Sequence, residues 1–456
     1  MASEIGIYGL ATMGKNLALN FAQKQIPVSV FNRTTEVTKE FISNLSKDHF
    51  KFIHGCFSLE EFLASLKLPR KIVLLVKDSA IDQVLEQLSS QLATEDIVID
   101  MGNTFFKETI SRSKRFNQFQ LVDCGISGGE EGARQGASLM LGGNKNLALK
   151  LLPTLQKISA QYGGEPCVEH FGSLGSGHFI KMLHNGIEYA IMQFISEIYV
   201  ILKHSNANPV DVFHELSSSA LKSYLNDITL EILKFDQNSS ILVKIKPQAK
   251  QKGTGKWTSL ISFELDSPAP FITSSVESRL ISSLAEDEPC RKDHQNKATI
   301  KTETIDLAYR LFLGALYDQA IRLILAANNA YGFELSAVKA FKVWRAGSIL
   351  AANHLEILVD SNVEYPLLKV APPTVTSFFL PNLDQQLTAV GELISTALKI
   401  RAFCPLLSWT YNYVNAVLFQ QESFSLIQAQ RDYFGRHGVT LKGQTAPTNI
   451  EWRKNS

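Results

Sequence analysis

Four residues along one short stretch have types and a spacing that could do chemistry together. Between Gly177 and Tyr189 the chain reads GHFIKMLHNGIEY, and Lys181, His184, Asn185 and Glu188 fall at i, i+3, i+4 and i+7. On a helix turning about 100° per residue these positions share one face. Phe179, Ile180, Met182, Leu183, Ile187 and Ile191 fill most of the rest. The stretch predicts a long apolar helix, starting near Gly177, with one narrow polar stripe. That stripe carries an amine, an imidazole, an amide and a carboxylate, groups that can donate, accept and exchange protons. Surface helices usually show a wide polar face instead. A thin solvated stripe on a half-buried helix is the plain alternative, and the upstream sequence bears on the choice.

The elements that must position the stripe begin at the N-terminus. Ile5–Tyr8 reads as a short apolar strand running into Gly9-Leu-Ala-Thr-Met-Gly14, after which Lys15 to Gln25 reads as a helix. Strand, glycine turn and helix are the context a dinucleotide-binding fingerprint needs. The pattern here is GxAxxG, with Ala11 at the middle position. A small residue there still lets backbone approach a pyrophosphate, and the helix start offers free N–H groups and a positive dipole end. A second strand, Val28–Phe31, ends in Asn32-Arg33-Thr34 with no acid to hold a ribose hydroxyl. An arginine in that place suits a 2′-phosphate, so the expectation is NADP rather than NAD.

The alternation continues through Lys71–Val76, Asp96–Asp100, Leu121–Cys124 and Ser138–Gly143. Continuous apolar strands separated by helical segments predict a parallel, doubly wound sheet, whose ligands bind beyond the carboxyl ends of the strands. Those ends carry Val76 and Lys77, Asn103, and Ser127-Gly128-Gly129. Asn103 and Ser127 can hydrogen-bond a polyol, although loops of Gly, Ser and Asn are also ordinary turn chemistry.

Composition narrows the classes. A formal net charge of +1 over 456 residues gives no support for a nucleic-acid partner or a polybasic membrane surface. The five scattered cysteines show no metal or redox spacing, so no metal is expected and reduced thiols in a cytoplasmic protein are the default. Neither a signal peptide nor a membrane-spanning run is expected.

Beyond a glycine-dense junction (Gly163, Gly164, Gly172, Gly175, Gly177) the strand signal fades. Ala220–Phe235, Ile305–Tyr331, Leu335–Glu356 and Asp384–Arg401 read as helices. The expected architecture is an α/β Rossmann-type N-terminal domain over 1–176, a large all-α domain over 177–424, and a short C-terminal tail over 425–456. Lys250–Trp257 reads as a basic glycine loop in which Lys252 and Lys256 could hold one phosphate or carboxylate, and Glu286–Lys301 as an exposed loop.

Six stretches, in order along nearly the whole chain, resemble the decarboxylating 6-phosphogluconate dehydrogenases of the β-hydroxyacid dehydrogenase superfamily. They are GLATMGKNLALN (Gly9–Asn20), FNRT (Phe31–Thr34), ISGGEEGA (Ile126–Ala133), GHFIKMLHNGIEY, QKGTGKWT (Gln251–Thr258) and SLIQAQRDYFG (Ser425–Gly435). The resemblance implies a cytoplasmic homodimer carrying out NADP-dependent oxidative decarboxylation of 6-phosphogluconate to ribulose 5-phosphate, in the pentose phosphate pathway and gluconate utilisation. It implies Lys181 as general base and Glu188 as the acid that protonates carbon. Asn103, Ser127, Gly128, Gly129, His184, Asn185 and Tyr189 match substrate-binding positions, and Lys256 and Arg279 match phosphate contacts. Arg431 and His437 match residues that reach across from the partner subunit. For the cofactor, Gly9, Ala11, Met13, Gly14, Asn32, Arg33, Thr34, Val76, Lys77 and Asn103 are the expected contacts. The chain departs from the family's usual residues at Met101, Leu141, Ala190-Ile191 and Ala346. Two other readings compete: a relative acting on a different β-hydroxy acid, and a degenerate homologue that binds nucleotide and sugar phosphate without turnover.

Overall fold

The apolar runs form the strands that their burial on both faces requires. The computed structural model describes residues 2–251, 253–284, 298–419 and 421–452. Strands β1 (Ile5–Tyr8), β2 (Val28–Phe31), β3 (Ile53–Cys56), β4 (Lys71–Leu74), β5 (Ile97–Asp100), β6 (Gln120–Ser127), β7 (Ser138–Gly142) and β10 (Val168–His170) build one sheet, and β8 (Gln161–Tyr162) pairs with β9 (Glu165–Pro166) in a separate hairpin. The order across the large sheet is β10-β7-β6-β5-β4-β1-β2-β3. From β3 to β6 all neighbours run parallel.

The expected all-parallel sheet needs one correction. β7 runs antiparallel to β6, with Cys124 opposite Leu141 and Ser127 opposite Ser138, and β10 follows the direction of β7. The cause is the short link: residues 128–137 hold a single helix, Gly129–Gln135. A parallel crossover needs a dozen or more residues, so the chain turns back on itself.

After the sheet comes a helical domain around two long helices, Ser176–Lys203 and Thr302–Tyr331. Phe194 of the first stacks on Phe312 of the second with ring centroids 4.0 Å apart. The site helix, Ser176–Lys203, also packs on β6 and β7, so its first turns lie on the sheet and the rest in the helical core. Leu335–Glu356 is not the single helix its periodicity predicts. It divides into Ala337–Trp344 and His354–Asp360, with Gly347 at φ +60° in the irregular segment between them. The helix expected at Ala220 starts later, over Tyr224–Ser239, behind the Ser223 cap. Lys250–Trp257, expected as a loop, ends as a helix start: Thr254–Glu264 is helical, while Lys252 lies outside the described residues, as does most of Glu286–Lys301. Among the described residues, no helix is long and apolar enough to cross a membrane.

Candidate functional site

The nucleotide side of the site is a cleft of about 480 Å³ at the carboxyl ends of β1, β2 and β4. Gly9, Ala11, Asn32, Arg33, Thr34, Val76 and Lys77 all line it. Asn32 braces the glycine turn: its Oδ1 accepts from Leu10 N at 3.1 Å. Gly14 is buried and does not line the cleft. A Cβ there would stand 1.9 Å from Gly9 O, so its role is to let the helix start lie directly against the turn. Met13 is half-buried and also off the cleft. Arg33 is exposed at the rim and pairs with no carboxylate among the described residues, which leaves its guanidinium open to an anion. Asn103 is exposed beyond β5 and belongs to neither wall of the cleft.

The polar stripe of the site helix is buried, which overturns the solvated alternative. Lys181 is 9% exposed, His184 is fully buried, and Asn185 is 8% exposed. Two features upstream set the helix so deep. Asp123, inside β6, accepts from Gly175 N at 2.8 Å and from His178 N at 2.7 Å, satisfying orphan donors at the helix start. His178 in turn reaches Thr109 Oγ1 at 2.8 Å and Asp100 O at 3.1 Å. Gly125 gives Lys181 its space, because a Cβ on Gly125 would fall 2.4 Å from Lys181 Cβ.

Burial then tunes the titratable groups. It pulls the Lys181 amine down to about 8, against the opposing pull of the Glu188 charge. Burial also pushes the Glu188 carboxyl up, while Lys181 and Arg279 hold it back. Two neighbouring groups on one helix face are thus moved towards each other's range, the amine made easier to neutralise and the acid easier to protonate. His184 is held well below its ordinary value by burial and by Lys181, so its ring is neutral.

Arg279 closes the same wall. Its guanidinium carbon lies 3.7 Å from the centroid of the Tyr189 ring, its Nη2 contacts Met192 Sδ at 3.7 Å, and its buried Nε has no hydrogen-bond partner among the described residues. An arginine held this way, with donors to spare, suits an incoming anion. Lys256 sits exposed in the first turn of Thr254–Glu264, a helix tied to the site helix by Thr258 Oγ1 donating to Met182 O at 2.9 Å. Ser127 ends β6 with its Oγ 2.9 Å from His184 Nε2, and Gly128 and Gly129 follow at the start of the next helix.

Arg431 and His437 stand apart. Both are exposed on the tail, and among the described residues their contacts stay within it: Arg431 donates to Gln428 Oε1 at 3.1 Å, and His437 meets the edge of Phe434. The tail helix, Glu422–Gly435, buries a single residue, Asp432, which accepts from Gly438 N, Ile450 N and Trp452 Nε1. Phe424, Leu426, Ile427 and Phe434 are exposed along it.

Sequence reading missed Asp123, Ser348 and the Trp344–Ser348 segment behind His184. For Asp123 there was a signal, an acid inside the apolar run Leu121–Cys124. Ser348 offered none: it is 164 residues from His184 in the chain, yet its Oγ lies 2.8 Å from His184 Nε2.

A dinucleotide-type sheet, its cleft, and a buried lysine on the helix leading into a helical domain define a two-domain Rossmann-type class of protein. Residues 4–172 match the family model for the NAD binding domain of 6-phosphogluconate dehydrogenase, and residues 177–452 match that for its C-terminal domain. The chain is 37% identical to the decarboxylating 6-phosphogluconate dehydrogenase of Escherichia coli (strain K12), over 98% of this chain and 99% of that one. It is also 37% identical to the NADP(+)-dependent, decarboxylating enzyme of Bacillus subtilis (strain 168), over 99% of both. Among solved structures, Plasmodium falciparum 6-phosphogluconate dehydrogenase, described apo, with its cofactor NADP+ and with its substrate 6-phosphogluconate, matches with a TM-score of 0.89. The identity there is 31%, over 98% of this chain and all of that one. The chain belongs to the 6-phosphogluconate dehydrogenase family.

Proposed function

We propose that this protein catalyses the NADP-dependent oxidative decarboxylation of 6-phosphogluconate to ribulose 5-phosphate and carbon dioxide. The observation that carries the reading is the buried Lys181, drawn down to about 8, on one helix face with a carboxyl that burial pushes up. Lys181 in its neutral form takes the proton from the substrate 3-hydroxyl. NADP, when held by the cleft residues Gly9, Ala11, Asn32, Arg33, Thr34, Val76 and Lys77, would supply the acceptor for the hydride leaving C3. The resulting 3-keto acid loses carbon dioxide while Lys181, now an ammonium, donates to the 3-oxygen. Glu188 then protonates C1 of the enediol. Asn103, Ser127, Gly128, Gly129, His184, Asn185 and Tyr189 are assigned to the sugar acid, and Lys256 and Arg279 to its phosphate. Gly9, Ala11, Met13, Gly14, Asn32, Thr34, Val76, Lys77 and Asn103 are assigned to the cofactor, with Arg33 on the 2′-phosphate.

The working form in this reading is a cytoplasmic homodimer, divided in each chain at residues 177 and 425. The apolar face of the tail helix and the exposed Phe263, Leu280 and Leu284 support an interface between copies, and Arg431 and His437 would reach the partner's site. The test is NADPH formation from 6-phosphogluconate. The unaltered protein should produce NADPH, Lys181→Ala should abolish it, and Arg33→Ala should raise KM for NADP far more than for NAD. Absence of turnover in the unaltered protein sinks the reading. A solution mass of one chain, 50.7 kDa, sinks the dimer.

A further inference from the structure

His184 meets more hydroxyls than it can use. Its Nδ1 lies 3.1 Å from Asn185 Oδ1, and a carbonyl oxygen only accepts, so Nδ1 carries the ring proton. The ring is neutral because burial and Lys181 disfavour its charge. Nε2 therefore offers one lone pair, and two hydroxyls compete for it: Ser127 Oγ at 2.9 Å and Ser348 Oγ at 2.8 Å. If one donates, the other keeps its proton for a different acceptor.

The two serines are not equivalent. Ser127 ends β6, at the carboxyl edge where ligands of such sheets bind. Ser348 is 4% exposed and approaches from the helical domain on the segment following Trp344. That segment is held from several sides. Trp344 meets His184 edge-on with centroids 5.7 Å apart. Arg345 joins Glu356 and Glu165 at 2.6 Å each and lies over the Tyr162 ring, which ties the segment to the β8–β9 hairpin. Gly347 O accepts from Ser138 N at 2.8 Å, at the first residue of β7. The Ser348 hydroxyl is thus delivered to His184 by a rigid wedge.

We propose that Ser348 is a positioning residue: its hydroxyl occupies the Nε2 lone pair of His184 and so leaves the Ser127 hydroxyl free to donate to the sugar acid. The inference rests on the reaction assigned above. Without Ser348, Ser127 is captured by His184, and the substrate loses a donor although no residue touching it has changed.

The experiment is a double-mutant cycle on Ser127 and Ser348, read as separate KM and kcat values. Turnover by the unaltered protein is measured first, and its absence would refute the reaction rather than this role. In Ser348→Ala, KM for 6-phosphogluconate should rise roughly three- to tenfold, the worth of one hydrogen bond, with kcat within about twofold and KM for NADP unchanged. In a Ser127→Ala background the same change should have little further effect, because no hydroxyl remains to be released. Ser348→Cys, which keeps a weak donor, should lie between serine and alanine. It carries the test if Ser348→Ala does not fold. An unchanged KM for 6-phosphogluconate in either Ser348 variant, or effects of the two serines that simply add, would overturn the role. So would an equal rise in the KM for NADP, which would mark a general loss of structure.

Discussion

Titrating the rate tests the site at its centre. A lysine at its ordinary value of 10.5 would be neutral in only about one molecule in 3000 at pH 7. At about 8, where burial places Lys181, the neutral fraction at that pH is about a tenth. The difference is roughly 300-fold in available base, equivalent to about 3 kcal/mol, and the weaker basicity of the low-pKa amine offsets part of it. The sign follows from the group: a base must be deprotonated, so kcat/KM should fall about tenfold per pH unit below about 8 and level off above it. The assay is NADPH formation at subsaturating 6-phosphogluconate across that range at constant ionic strength. Replacing Glu188 by Gln adds a second sign. Its charge favours the ammonium form of Lys181, so Glu188→Gln should move the inflection to lower pH while reducing the rate through loss of the acid. A rising limb centred near the ordinary lysine value, or an inflection that moves upward in Glu188→Gln, would refute the assignment of Lys181 as the buried base.

Two further outcomes follow from the packing. Gly125→Ala would set a methyl group 2.4 Å from Lys181 Cβ and 3.1 Å from Gly177 O, so it should cost about 1–3 kcal/mol of stability and lower kcat at least tenfold. Melting curves and kinetics check this, and an unchanged kcat would mean Lys181 does not depend on that close contact. Glu197 is buried in the site helix, accepts from Leu406 N and Leu407 N at 3.0 Å each, and is pushed by burial from 4.5 to about 7. Because the folded value lies above the unfolded one, its contribution is fully present below about 4.5 and is lost as pH rises through 7. Folding stability should therefore fall by about 3 kcal/mol across that window on account of this group. Glu197→Gln should flatten that part of the pH dependence in denaturant titrations at fixed protein concentration, and an unaltered slope would count against it.

The sequence by itself determined whatever depends on near neighbours in the chain. Apolar runs such as Ile97–Asp100 have one way to satisfy burial on both faces, so β1, β2, β4 and β5 were legible. The glycine turn and the Asn32-Arg33 strand end were legible because cofactor geometry demands particular small and charged residues at short spacings. Lys181 to Glu188 could be placed on one face by helix periodicity alone. Tertiary structure decided the rest. The reversal of β7 follows from a link too short to cross over, and the break between Trp344 and His354 from contacts that Gly347 makes with the distant Ser138. Above all, periodicity could not say whether the polar stripe faced water. Asp123, capping the site helix from inside β6, and Ser348, arriving from 164 residues away, are what bury it and orient His184. The low pKa of Lys181 comes from that burial, a property of the surroundings that no spacing along the chain encodes.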